Sequence, residues 1–308
     1  MKRFLIISLY FLLPILLAAV VVEYLIRQVP NPYRCKYEWM QKNAEDVEVI
    51  ILGSSHTFTG IRPEYFESKA YNLANHAQQL RQDLSLLEYW SDRYKNLKTV
   101  IYPVSYFSWF AHGLEYERDY SFRCRYYKIY MDSDLYPDIS LYNLEISDYQ
   151  SARGKIERFL SNEDVPGCDN YGWGTTFRLS AKSMEIWNAG TDAEDAVKRH
   201  TRNWDYINQN SSRMKELADF CIDHNIQLVL ITTPCWHTYY DKLNHKQLAK
   251  MYELTNRYIQ EYGFTYFDYL KDDRFVADDF YDCDHLSDVG AIKFTKILIE
   301  DIKSISKK

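Results

Sequence analysis

The chain reads as an α/β protein, a three-layer fold with a mostly parallel central sheet. Three observations predict it. Apolar runs at residues 47–52, 99–104 and 226–233 lack polar alternation, as strands covered on both faces do. Stretches with helical apolar spacing separate them, with Leu84, Leu87 and Tyr89 or Trp90 on one face of residues 80–94. Strands alternating with helices favour parallel pairing. Of 308 residues, 46% are apolar, enough for a sizeable core.

The elements follow in order. Lys2 and Arg3 precede residues 4–22, nineteen positions without a charge. About 20 apolar residues span a bilayer's hydrocarbon core. Residues 1–28 are therefore expected to be a membrane anchor, a transmembrane helix meeting the lipid bilayer through residues 4–22. The leading basic pair favours a cytoplasmic N-terminus, placing the bulk of the chain outside the cytoplasm, single-pass in the cell membrane. A cleaved signal peptide is the rival, because Ala18 and Ala19 are small, but the apolar run is long for one. Residues 29–45, with Pro30 and Pro32, read as a linker. Residues 46–308 form the remaining domain.

Within that domain, residues 71–74 read as a second short strand and residues 265–268 as the last. Residues 212–224 read as a helix. Ser287 caps a final helix with Asp288 in its first turn and Lys303 near its end. Residues 112–200, rich in Tyr, Asp and Arg, break the alternation. They are expected to be a partly helical insertion, with helix at 180–189 and 192–200.

A net charge of −6 offers no basic excess and argues against a nucleic-acid partner. The six cysteines permit disulfides without requiring them and form no Cys-x-x-Cys pair, so no structural zinc is expected, nor any cofactor. Cys283 reads as a packing residue. The 28 tyrosines suit either compositional bias or a glycan-binding cleft.

Chemistry concentrates at two places. Gly53-Ser54-Ser55-His56 follows the first strand, and Asp282-Cys283-Asp284-His285 precedes the last helix. Ligands of open α/β sheets bind outside the carboxyl ends of strands. A hydroxyl nucleophile needs an imidazole to take its proton and a carboxylate to hold that imidazole. Ser55 is assigned as nucleophile, His285 as base and Asp282 as orienter. Ser54 is an alternative on turn chemistry alone. Asp284 competes with Asp282, but residues three apart in a turn approach within about 7 Å, which favours Asp282. His56 reads as a rim residue, and His237, after a strand end, as a substrate contact. His112, His200, His224 and His245 read as solvated. A metal-dependent alternative would draw on Asp278, Asp279, Asp282, Asp284 and His285, but no matching ligand pair follows the first strand, so no metal is expected.

The order strand-Gly-x-Ser, then Asp-x-x-His before a C-terminal helix, resembles the SGNH (GDSL-type) hydrolase superfamily. Ile51-Leu52-Gly53-Ser54-Ser55-His56 and residues 280–291 are similar to its membrane-linked envelope branch, which includes the teichoic acid D-alanyl transfer protein and the alginate O-acetylation proteins. The likeness covers residues 46–110 and 205–305, at motif level. It implies an SGNH-like fold, Ser55 as nucleophile, and acyl esterase or O-acyltransferase chemistry on an envelope or exported glycan, with a membrane acyltransferase as partner. In that family a glycine N–H and an asparagine side chain complete the oxyanion hole. Of the matching blocks here, residues 72–76 lack that glycine and residues 103–106 lack that asparagine, leaving Gly53, Asn75 and Ser105 as candidate donors. The second expectation is therefore a weakly active or inactive scaffold that binds a glycan or an export partner.

Overall fold

A computed structural model describes residues 2–117, 119–136, 143–161 and 167–305. Its centre is a five-stranded parallel sheet: β1 (Val49–Ile51), β2 (Ala70–Asn72), β3 (Thr99–Pro103), β4 (Gln227–Thr232) and β5 (Thr265–Asp268). The spatial order is β2-β1-β3-β4-β5, every neighbouring pair parallel. Successive strand residues point to opposite faces. Ile50, Val100, Tyr102, Leu228 and Leu230 join one core cluster, and Val49, Ile51, Ile101, Val229 and Ile231 join another. Apolar residues at consecutive positions are thus required by two covered faces.

Helices supply both covers. Helix α1 is Lys2–Arg27, α2 is Pro32–Asn43, α3 is Ser55–Phe58 and α4 is Leu80–Tyr89. After β3 come α5 (Cys124–Met131), α6 (Tyr149–Leu160), α7 (Met184–Ala189), α8 (Thr191–His200) and α9 (Ile207–Asp223). Then follow α10 (His237–Tyr240), α11 (His245–Tyr262) and α12 (Asp288–Ile305). Met40 of α2, Leu84 and Leu87 of α4, Leu217 of α9 and Leu254 of α11 pack on the first face; Phe294 and Leu298 of α12 pack on the second. The Ser287 hydroxyl accepts the Gly290 N–H at 3.2 Å and caps α12. Between β3 and β4 the chain runs through α5 to α8 before α9, so residues 112–200 are inserted off the sheet. Helices α5 and α6 in that stretch have no counterpart in the sequence reading.

Helix α1 carries a window of mean hydropathy 2.9, none of it buried. Among the described residues it is the one helix long and apolar enough to cross a membrane. Its last turn is docked rather than free. Glu23 accepts the N–H groups of Glu145 and Ile146 at 3.1 and 3.0 Å, and Arg27 donates to the Asn143 carbonyl at 3.1 Å.

Residues 29–45 are not a loose linker. Asn31 caps α2 by accepting the Arg34 N–H at 3.1 Å, and Pro32 occupies the first helical position. Proline lacks only an N–H that is unpaired there anyway, so it starts a helix as readily as it breaks one. Tyr33, Lys36 and Met40 are buried. The Lys36 ammonium donates to the Ala74 carbonyl and lies 4.2 Å from the centre of the Phe58 ring. Burial pushes its pKa down to about 7. Helix α2 is therefore part of the domain.

Strand order reverses between β1 and β3, where one crossover runs to β2 and the next returns past β1. Such switch points open a crevice at the carboxyl ends of the strands. The turn after β1 lies at that crevice.

Candidate active site

The turn after β1 is built on Gly53, whose φ is +109°. A Cβ there would stand 2.2 Å from Pro103 Cγ, so no side chain fits. The Gly53 N–H donates to Asp83 Oδ1 at 2.8 Å, and its carbonyl accepts the Asn75 N–H at 3.2 Å. Burial raises the Asp83 pKa to about 7. Ser54 is the residue before α3, its carbonyl accepting the Thr57 and Phe58 N–H groups. Ser55 opens the helix. The N–H groups of Ser55 and His56 donate to no acceptor among the described residues, as expected in a first helical turn.

The second piece is a tight loop closed by the bridge between Phe280 and Leu286. The Tyr281 N–H donates to the His285 carbonyl at 2.9 Å. Asp282 Oδ1 accepts the N–H groups of Asp284 and His285 at 3.1 and 2.8 Å. This aspartate turn folds the side chain back onto the imidazole three residues later. His285 Nδ1 lies 2.9 and 3.0 Å from the two Asp282 carboxylate oxygens. Its Nε2 lies 2.8 Å from Ser55 Oγ, across 230 residues of chain. Hydroxyl, imidazole and carboxylate thus form a continuous hydrogen-bonded line. Ser54 is not on it; its hydroxyl is buried without a hydrogen-bond partner among the described residues.

Electrostatics favour a charged imidazole. Burial alone would lower the His285 pKa, but the carboxylates of Asp282 and Asp284 outweigh it and hold the pKa well above the usual histidine value. The contacts of Asp282 to His285 Nδ1 are the shorter ones; Asp284 Oδ1 stands 3.4 Å from the same nitrogen. Asp284 is buried and serves a second imidazole: its Oδ2 lies 3.1 Å from His56 Nε2. His56 Nδ1 in turn lies 3.3 Å from Ser105 Oγ. His200 Nδ1 bonds the Tyr239 hydroxyl at 2.8 Å and stands 3.8 Å from Asp284 Oδ2. Burial holds His200 down at about 3, so it is neutral at neutral pH.

Several sequence expectations change. His56 is not a rim residue; it is 4% exposed and lies behind the site. His200 and His112 are not free surface groups; both line the cleft in front of Ser55. Ser105 is committed to His56 and does not line that cleft. The Asn75 side chain is buried and donates to Gln78 at 3.4 Å. The Gly53 N–H is held by Asp83. His237 is exposed at the start of α10, 3.8 Å from Asp241, and lies outside the cleft. Its strand-end position was real, but α10 turns the side chain away. No sequence signal marks His200, because the insertion brings it in from outside the motif blocks. His56 carried one: it adjoins the assigned nucleophile.

His56, Asp284 and His285 approach within 4.8 Å, a spacing a metal ion can use. Each of their ring nitrogens is already engaged, by Ser105, Asp284, Asp282 or Ser55. Asp279, from the acidic run, caps a turn at Val276 and pairs with Lys293. The donor set fits a hydrogen-bond network better than a coordination shell.

A cleft of about 400 Å³ opens over Ser55 and His285. The insertion builds much of its wall, with Tyr116, Tyr120, Arg123 and Phe177 among the lining residues. Phe177 stacks on Tyr281 at 4.6 Å and sets its ring against the edge of His285 at 4.7 Å. It shields one side of the imidazole from solvent. The chain matches no protein-family model, and no curated protein matches it significantly.

Proposed function

We propose that this chain is a membrane-anchored serine acyl esterase or O-acyltransferase of SGNH type, acting on an envelope or exported polysaccharide. The observation that carries the proposal is the line Ser55 Oγ, His285 Nε2, His285 Nδ1 and Asp282, each link at hydrogen-bond distance. Strand order and the placement of both motif blocks at one crevice support the fold assignment. Helix α1 supports the anchor, and Lys2 and Arg3 ahead of it favour an extracytoplasmic domain. Aromatic walls of the cleft suit a sugar, whose rings stack on flat apolar faces.

In this reading Ser55 attacks an ester carbonyl while His285 takes its proton. Asp282 fixes the imidazole with Nδ1–H inward and Nε2 toward the hydroxyl, and stabilises the imidazolium that forms. His285 then returns the proton to the leaving alkoxide. Water attacking the acyl-enzyme gives an esterase; a sugar hydroxyl gives a transferase. For transfer, a membrane acyltransferase would present the donor, an inference from family likeness alone.

A second reading, an inactive scaffold, is favoured by one observation: Asn75 and Ser105, the candidate oxyanion donors, are both engaged elsewhere. Missing one such donor costs about 100- to 1000-fold in rate. Intact-mass analysis during p-nitrophenyl acetate turnover separates the two. The enzyme reading expects a transient acetyl adduct on Ser55, shortened in lifetime when a glycan acceptor is added. Folded protein that never acquires the adduct supports the scaffold.

The pH dependence has a defined sign. His285 must be neutral to accept a proton, and its pKa is raised. The rate should therefore rise with pH, with a midpoint above the ordinary histidine value of about 6.5. Asp282→Asn should move that midpoint downward. A wild-type profile that falls as pH increases through this range contradicts the role given to His285.

A further inference from the structure

Cys35 and Cys168 come from distant parts of the chain and meet beside the helix that carries Ser55. Cys35 lies on the first turn of α2. Cys168 lies in the insertion, paired across an antiparallel bridge with Gly174. Both pack in one cluster with Phe58 and Ala74. The two thiols perturb each other's titration in opposite directions, and neither is in a disulfide. Of the other four, all buried, Cys235 and Cys283 share a separate core cluster, while Cys124 and Cys221 lie in two further clusters.

The surroundings hold the two thiols together. Gly167 lies against Pro32 of α2, with 3.5 Å from an added Cβ to Pro32 Cγ. The Gly174 N–H donates to the Phe58 carbonyl at 2.8 Å, and the Trp173 indole N–H donates to the Thr59 carbonyl at 2.6 Å. The Asn72 N–H donates to the Tyr171 carbonyl at 3.0 Å. Residues 167–174 are thereby pinned to α3 and β2, and α2 is pinned to Ala74 through Lys36. Both cysteines are thereby held in the one cluster.

We propose that Cys35 and Cys168 form a disulfide that staples α2 to the insertion beside α3. The step needs an external disulfide, such as oxidised glutathione or a protein dithiol oxidant. The Cys35 thiolate attacks it, releasing one external thiolate and forming a mixed disulfide. Cys168 loses its proton and displaces the second external thiolate. Two protein thiols are oxidised, and one external disulfide is reduced to two thiols. Chemistry favours this order. The neighbouring Cys168 thiol draws the Cys35 pKa down to about 7, whereas Cys35 and burial raise Cys168. The half-buried Cys35 is thus the accessible thiolate, and Cys168, 4% exposed, the resolving group. An oxidising compartment would complete the bond during folding. The inference stands apart from the catalytic reading.

The test uses the full chain in detergent, equilibrated with oxidised glutathione, alkylated with iodoacetamide and mapped by non-reducing peptide mass spectrometry. The expected result is a linked Cys35–Cys168 peptide. A loop this long, once closed, should raise the thermal midpoint on the order of 5–10 °C over the dithiothreitol-reduced protein. Cys35→Ser and Cys168→Ser should each abolish the linked peptide and the redox shift, with midpoints near that of the reduced wild type. A stable glutathione adduct on Cys35 or full alkylation of both cysteines after oxidation would overturn the proposal. So would linkage of Cys35 to any other cysteine.

Discussion

Ser55→Ala should eliminate labelling by a fluorophosphonate probe, slowing it on the order of 10⁶-fold, while the protein unfolds at nearly the wild-type temperature. The rate effect is large because the proposed mechanism makes this hydroxyl the attacking atom. The stability effect is small because the side chain is only half-buried and its partner, His285 Nε2, faces a cleft that water can fill. Ser54→Ala is the matched control. Its hydroxyl has no hydrogen-bond partner among the described residues, so its loss should leave labelling within about tenfold of wild type. The two serines are adjacent and alike in chemistry, so this contrast isolates the contact with His285 from general damage to the turn.

The two aspartates of the loop should fail in opposite ways. Asp282→Asn keeps an oxygen for the N–H groups of Asp284 and His285, so the loop holds. It presents an amide to His285 Nδ1, disfavouring the tautomer that leaves Nε2 free to accept, and should slow labelling about 10⁴-fold at near-wild-type stability. Asp284→Ala should do the reverse first. Burial alone would raise the Asp284 pKa, but His285, His56 and His200 more than reverse this and hold it well below the ordinary value. A carboxylate with a depressed pKa stabilises the fold above its unfolded-state pKa near 4 and loses that contribution as pH falls through the native value. Removing it leaves His56 buried beside Ser105 without its acceptor. Breaking a buried pair costs about 3–5 kcal/mol. The expected drop in thermal midpoint is on the order of 10 °C, against little change for Asp282→Asn. Equal destabilisation by both variants would show that the roles of the two carboxylates have been wrongly divided.

Much of the scaffold was legible because it follows from local rules. Unbroken apolar runs marked β1, β3 and β4, and residues 265–268 match β5 throughout. Gly53 was predictable as a turn, although its necessity lies in Pro103, fifty residues away. The pairing of Asp282 with His285 is a three-residue relation, so spacing alone could favour it over Asp284. What was illegible depends on tertiary contact. Pro30 and Pro32 suggested a linker, yet burial of Tyr33, Lys36 and Met40 makes residues 32–43 a packed helix. Asn75 and Ser105 had suitable chemistry and strand-end positions, but Gln78 and His56 claim their side chains. His200 and Phe177 reach the site from an insertion with no readable period, and proximity to Ser55 cannot be inferred from their neighbours in sequence.

The insertion also gives the cleft its character. Tyr116, Tyr120, Arg123 and Phe177 line the cleft in front of Ser55. On the proposed acyl-transfer reading, that wall would hold an acceptor against the acyl group and exclude competing water.

The most direct test is to locate the covalent adduct. Wild-type protein in detergent at pH 8, treated with a fluorophosphonate and digested, should give one modified peptide with the phosphonyl group on Ser55. An adduct on Ser54 or another serine, or an unmodified Ser55 in folded protein after prolonged exposure, would contradict the claim that His285 activates the Ser55 hydroxyl.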